Sequence, residues 1–257
     1  MSSITELPTS APVPTPHPKP NPPRLQPKKQ SAARGLGLTL AEALLQAGAK
    51  VYALDHLPEP TPEFIENQQR ANTWHTELQY RCVDVRDTIL LNAVVEDIAN
   101  REGRVDGLIA AAAIQQETPA LEYSAKDSNA LLEVNVTGVF MTAQAVARQM
   151  VRFGNGGGLI CPVYNASKAA VIQLSRNLAA EWGPYNIRVN TLSPRLHPRP
   201  DVGDDYPERR VQFAKENMLG RLSHPREYRG AAVFLLSDAS SFMTGSDLRI
   251  DGGHAAW

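Results

Sequence analysis

From Arg34 onward the chain alternates between short apolar runs of strand length and longer runs whose apolar residues recur at helical spacing. Leu36 to Gln46 carries leucines and alanines on a helical period, and Gly48 closes that helix. Lys50 to Asp55 is a short buried strand ending in an acid, and a second strand runs near Leu78 to Asp84. A helix from Thr88 to about Asn100 places Leu91, Val94, Val95 and Ile98 on one face. Leu108 to Ala112 reads as a small-residue strand. A long helix from about Asp127 to Arg152 aligns Leu132, Val136, Phe140 and Ala143, and another covers Tyr164 to Trp182. Ile187 to Leu192 is a strand, Pro225 to Leu236 a helix, and Asp247 to Ile250 a last strand. Strands alternating with helices imply a parallel sheet covered on both faces, wound in both directions by right-handed crossovers. A single doubly wound α/β domain is expected, with its ligand crevice at the carboxyl ends of the strands.

Before that alternation begins, residues 1–30 hold nine of the twenty prolines. From Pro12 to Pro23 nearly every second residue lacks an amide donor, so the stretch cannot join a sheet or helix interior. Residues 1–30 are expected to form a disordered arm and 31–257 the folded domain. The net charge of −1 supplies no electrostatic argument for nucleic acid or an anionic membrane. Two cysteines, Cys82 and Cys161, make no disulfide framework, and with six histidines they show no zinc spacing, so no metal is expected. No apolar run of transmembrane length and no apolar leader are visible, and a cytoplasmic protein is expected.

Three clusters carry chemistry. Ala33-Arg34-Gly35-Leu36-Gly37 opens a helix, where glycines let the backbone approach a pyrophosphate and the helix N-terminus supplies amides. A plain helix entry explains the same residues. Asp55 ends a strand 20 residues after Gly35, about the separation at which an acid meets an adenosine ribose in a Rossmann-type fold. A carboxylate there accepts from both ribose hydroxyls and repels a 2′-phosphate, which favours NAD(H) over NADP(H). The strongest signal is Tyr164-Asn165-Ala166-Ser167-Lys168. Residues i and i+4 share a helix face, and an ammonium one turn away lowers a phenol pKa that is otherwise about 10. Such a pair can exchange a proton with a hydroxyl or carbonyl. Ser167 is expected to point to another side of the helix.

Taken with Ile187-Arg188-Val189-Asn190-Thr191-Leu192-Ser193-Pro194 and Asp251-Gly252-Gly253, these motifs resemble the classical short-chain dehydrogenases/reductases over residues 33–257. Asn135 in Val134-Asn135-Val136-Thr137-Gly138 matches that family's catalytic asparagine, and Asp84 before Val85 its adenine-contacting aspartate. The C-terminal segment is similar to members acting on sugars and polyols, such as sorbose reductases and arabinitol dehydrogenases. The resemblance implies Tyr164 as general acid/base, Lys168 as holder of the nicotinamide ribose, and Asn135 in a proton relay. It further implies Gly35, Leu36 and Gly37 at the pyrophosphate, with Asp55, Asp84, Val85, Ala111 and Pro194 lining the rest of the cofactor. It implies a secondary alcohol or ketone of polyol, sugar or small carbonyl type as substrate, and a homodimer or homotetramer.

The sequence departs from that pattern in several places. No apolar first strand precedes Gly35, because Pro27-Lys28-Lys29-Gln30 cannot be a buried central strand. Ala110-Ala111-Ala112-Ala113 replaces a stretch with asparagines. Gly154 to Val163 leaves little room for the fifth strand, and no Ser or Thr lies between Phe153 and Tyr164. Arg195 follows Pro194 in place of glycine, and the segment after it is proline-rich. The first and fifth strands are therefore expected to be missing or altered. Two readings stay open: an active oxidoreductase, and a defective family member without turnover.

Overall fold

The computed structural model describes residues 28–30, 33–115, 120–162, 165–194 and 207–256. In chain order its strands are β1 (Lys28–Gln30), β2 (Val51–Asp55), β3 (Leu78–Cys82), β4 (Gly107–Ile109), β5 (Ala113–Gln115), β6 (Gly157–Pro162), β7 (Ile187–Pro194) and β8 (Asp247–Ile250). Its helices are α1 (Gly35–Gln46), α2 (Pro62–Thr73), α3 (Thr88–Glu102), α4 (Ala125–Leu132), α5 (Val139–Phe153), α6 (Asn165–Trp182), α7 (Pro207–Lys215) and α8 (Arg229–Leu236).

Strand–helix alternation produces the expected parallel architecture. Strands β4-β6-β7-β8 form a four-stranded parallel sheet, and β2-β3 a separate parallel pair. Among the described residues no strand joins the two. Lys28–Gln30 does form a strand, but it pairs antiparallel with β5, Lys28 opposite Gln115 and Gln30 opposite Ala113. The polar Lys-Lys-Gln run thus stays out of the central sheet, as its composition demands.

The fifth strand is present, against expectation. Gly157–Pro162 pairs with β4 on one side and β7 on the other. The glycines that argued against a strand are what let it form here. Gly157 has φ +151°, and a Cβ on it would lie 2.6 Å from the Asp106 carbonyl oxygen. At Gly158 a Cβ would stand 3.1 Å from the Leu235 carbonyl oxygen. Close approach to β4 and α8 replaces side-chain packing at this end, and Leu159, Ile160 and Cys161 then enter the core.

Further elements differ from the sequence reading. The Leu108–Ala112 strand is cut short where the Ala111 amide donates to the Ile109 carbonyl at 2.9 Å, a three-residue turn separating β4 from β5. The long helix contains a π-helical turn, Glu133–Gly138, between α4 and α5. Helix α2 was not anticipated, although its start is well signalled: Thr61 Oγ1 accepts from the Phe64 amide at 3.3 Å, with Pro62 in the first turn. The Pro225–Leu236 helix begins as a 3₁₀ turn over Pro225–Tyr228.

Helix layers cover both faces. On one, Leu91, Val95, Ala143, Val146, Met150, Leu178 and Trp182 pack on Leu159 and Val189. On the other, Leu40, Tyr228, Ala232 and Leu235 pack on Ile160 and Leu192. A third cluster joins Leu38 and Leu45 of α1 to Ala53, Phe64, Ala71 and Leu78. Full burial of each such leucine contributes about 1.5–3 kcal/mol. Helix α1 therefore serves both sheets, and Glu42 on it pairs with Arg70 of α2 (3.1 Å) and Arg229 of α8 (3.6 Å). The continuous run Ala125–Phe153 is long and apolar enough to cross a membrane, but Ala143, Val146, Ala147 and Met150 on it lie in the main core.

Candidate active site

The carboxyl ends of the strands gather most of the residues singled out from the sequence. Gly35 opens α1 with φ +55°, a backbone that glycine tolerates and L side chains rarely adopt. Arg34 at the N-cap makes no side-chain cap, and the first turn carries no acid. The leading amides of α1 thus face no side-chain acceptor of their own helix, the condition for receiving an anion. Gly37 is buried, and Leu36 packs into the core beneath the four-stranded sheet.

Asp55 ends β2 nearly fully buried, at 2% exposure. Its Oδ1 accepts from the Leu57 amide at 3.3 Å and lies 2.9 Å from His56 Nδ1. Arg34 Nε stands 4.0 Å from Asp55 Oδ2 and is buried without a hydrogen-bond partner. Sequence reasoning singled out the carboxylate and missed these neighbours, although Arg34 before Gly35 and His56 after Asp55 were legible signals. Tyr80 closes the same corner, donating to the Leu57 carbonyl at 2.7 Å. Burial, then the Asp55 charge, pushes its phenol up to about 12.

At the end of β3, Asp84 is gripped by Arg86, whose Nε lies 3.0 and 3.1 Å from its two oxygens. Val85 packs against Gly138, where a Cβ would lie 2.7 Å from Val85 Cγ2. The loop after β3 is thereby seated on the π-turn. Ala110 is buried with Val139, Cys161 and Val171, and Ala111 beside it is half-buried.

Asn135 sits on the π-turn at 5% exposure. Its Oδ1 accepts from the Ile114 amide at 2.8 Å, and its Nδ2 donates to the Ile114 carbonyl at 2.9 Å and to Ser167 Oγ at 3.4 Å. Ser167 is therefore turned inward, at 5% exposure. The contact brings the asparagine turn onto the first turns of α6. Lys168 lies on α6. Tyr164 and the side chain of Lys168 fall outside the described residues. Pro194 ends β7 opposite Ile250 of β8, where Ser193 Oγ and Thr191 Oγ1 donate to Asp247 Oδ1 at 2.6 and 2.7 Å.

Cys161, on β6, is fully buried, and desolvation raises its thiol to about 12. It stays neutral at physiological pH and cannot serve as a nucleophile. Among the described residues no group of His, Cys, Asp or Glu could hold a metal ion.

Comparison with known proteins bears on this arrangement. A family model described as Enoyl-(Acyl carrier protein) reductase matches residues 31–255. The chain is 38% identical over 245 residues to "Short chain dehydrogenases/reductase notP'" of Aspergillus versicolor, covering 86% of this chain and 84% of the relative. It is 31% identical over 254 residues to D-arabinitol 2-dehydrogenase [ribulose-forming] of Candida albicans (strain WO-1), covering 87% and 90%. The crystal structure of a gluconate 5-dehydrogenase from Burkholderia cenocepacia J2315, in complex with NADP and tartrate, superposes with a TM-score of 0.78 at 30% identity, covering 88% of this chain and 93% of that one. The fold and site define a nicotinamide-dependent oxidoreductase class. Within it, the chain belongs to the short-chain dehydrogenase/reductase family.

Proposed function

We propose that this protein interconverts a secondary alcohol and a ketone of polyol or sugar type, using NAD(H) in preference to NADP(H). The observation that carries the reading is the buried contact of Asn135 with Ser167, which packs the asparagine turn against the helix that carries Asn165 to Lys168. The uncapped start of α1 and the buried acid at the end of β2 fit a dinucleotide: Gly35, Leu36 and Gly37 would receive the pyrophosphate, and Asp55 the adenosine ribose. Asp84, Val85, Ala111 and Pro194 would line the remainder. When bound, the nicotinamide supplies a hydride acceptor or donor. Tyr164 would move the proton to or from the substrate oxygen, and Lys168 would hold that phenol at a usable pKa. The Asn135 side chain is committed to Ile114, so a relay through this residue would run through its backbone.

The NAD preference rests on the Asp55 carboxylate. Arg34 acts against it, since its guanidinium would attract a 2′-phosphate. The polyol assignment is supported by the named activity of the Candida relative. A folded unit over 31–257, a cytoplasmic location and a homo-oligomer complete the proposal.

A second reading, a family member without turnover, is favoured by one specific fact: no Ser or Thr lies between Phe153 and Tyr164 to polarise a carbonyl. Nicotinamide absorbance assays over a panel of polyols and ketoses separate the two readings. Turnover that disappears in Tyr164→Phe supports the oxidoreductase. Cofactor binding with no turnover on any panel member supports the second reading.

A further inference from the structure

Asp55 and His56 share one corner at the carboxyl end of β2. The Asp55 carboxylate is buried, and His56 Nδ1 lies 2.9 Å from its Oδ1 while the imidazole stays 25% exposed. A carboxylate only accepts, so Nδ1 carries a proton whatever the charge of the ring. The ring therefore gains and loses its second proton at Nε2, which has no hydrogen-bond partner among the described residues. Titration inverts what that atom offers. A neutral ring presents an acceptor there, suited to a ribose hydroxyl, and a charged ring presents a donor, suited to a phosphate oxygen. Histidine is the side chain that makes this change between about pH 5 and 8. The other groups at the corner are Arg34, Tyr80 and Cys82. Arg34 Nε stands 4.0 Å from Asp55 Oδ2, and arginine keeps its charge across that range. Tyr80, whose phenol is pushed up to about 12 by burial and then by the Asp55 charge, stays neutral there. Cys82 is the β3 residue opposite Asp55, and its Sγ lies 3.9 Å from the His56 carbonyl oxygen.

We propose that His56 is a specificity-determining residue that makes the choice between NAD and NADP depend on pH. Neutral, it supports the unphosphorylated ribose. Protonated, it joins Arg34 in attracting a 2′-phosphate. The inference rests on the proposed reading that Asp55 receives the adenosine ribose. The NAD preference then belongs to the neutral ring and weakens in acid. Acid acts on the ligand with the opposite sign: a 2′-phosphate, with a second pKa of about 6, loses charge as pH falls. A gain in NADP affinity at low pH therefore has to come from the protein.

The test is calorimetric titration of the full chain with NAD+ and NADP+ at about pH 8 and about pH 5.5, at one ionic strength so that screening is equal. The ratio Kd(NADP+)/Kd(NAD+) should fall by about tenfold from the higher pH to the lower, the size of one charge-assisted hydrogen bond gained by one cofactor only. In His56→Asn the ratio should hold level or rise. Loss of a merely structural contact would shift both affinities and leave the slope in place. His56→Gln repeats the comparison if the asparagine variant fails to bind NAD+. A ratio that does not fall in the unmodified chain overturns the proposal whatever the variants do. So does an equal fall in the variants, which would place the titrating group elsewhere. Binding of neither cofactor by the unmodified chain at either pH is a different result, and overturns the oxidoreductase reading along with the inference built on it.

Discussion

Asn135 and Ile114 exchange two hydrogen bonds, the side-chain amide of one pairing with the backbone amide and carbonyl of the other at 2.8 and 2.9 Å. Ile114 is the middle residue of β5, opposite Lys29 of β1. Both of its backbone groups point to one side, so the asparagine closes the edge of β5 that β1 does not reach. A residue matched to catalysis in the family thereby also holds the loop after β4.

Asn135→Ala should leave the Ile114 amide and carbonyl without these partners and lower stability by about 1–3 kcal/mol. Urea unfolding measures it. A change under about 0.5 kcal/mol would show that the pairing contributes little. Ser167→Ala, which removes the longer 3.4 Å contact, should cost less.

On the proposed reading, cofactor choice turns on the corner built by Asp55. NADH should bind more tightly than NADPH to the unmodified chain. Asp55→Ala should reverse the order, since the Arg34 guanidinium would remain where the proposal puts the 2′ position. Fluorescence titration of both cofactors against both proteins is the measurement. Tighter NADPH binding by the unmodified chain would sink the NAD assignment.

Turnover should be slow. Loss of one preorganised donor aimed at a reacting oxygen costs about 2.7–4 kcal/mol of transition-state stabilisation, or roughly 10²–10³ in rate. Cys161 cannot substitute for the absent hydroxyl, being buried and neutral. Inserting a serine ahead of Tyr164 should raise kcat, and Tyr164→Phe in that background should abolish it. Fast turnover by the unmodified chain would show that the missing hydroxyl is dispensable.

Acid should remove one surface contribution in a defined window. Arg221, then the His224 amide, hold the Glu227 carboxyl down to about 2 from an ordinary 4.5. The folded protein keeps this carboxylate charged where the unfolded chain takes up its proton. The stabilisation is complete above about pH 4.5 and is lost as pH falls toward 2. Arg221→Gln should therefore be less stable than the unmodified chain at pH 6 and indistinguishable from it near pH 2. Both groups are largely exposed, so the difference should shrink in high salt. A stability gap that does not narrow with acid would count against the ion pair.

Much of the architecture was legible in the sequence, because a parallel sheet buried on both faces leaves apolar runs that stand out, as at Val51–Asp55 and Ile187–Leu192. What could not be read was set by contacts between distant segments. The strand at Gly157–Pro162 depends on how near Asp106 and Leu235 approach, which glycine content alone does not disclose. The contact of Asn135 with Ser167 joins a π-turn to a separate helix, and no residue type marks such a turn. Arg34 and His56 beside Asp55 were visible in the sequence as residues but not as its neighbours.

The two cysteines stand in opposite conditions: Cys82 is exposed and Cys161 is buried on a central strand. A thiol reagent should modify the first at once and the second only when the core opens. The chain therefore contains its own clock for structural opening. The slow phase of alkylation, followed by mass spectrometry, times how often the β4–β6–β7 ladder comes apart.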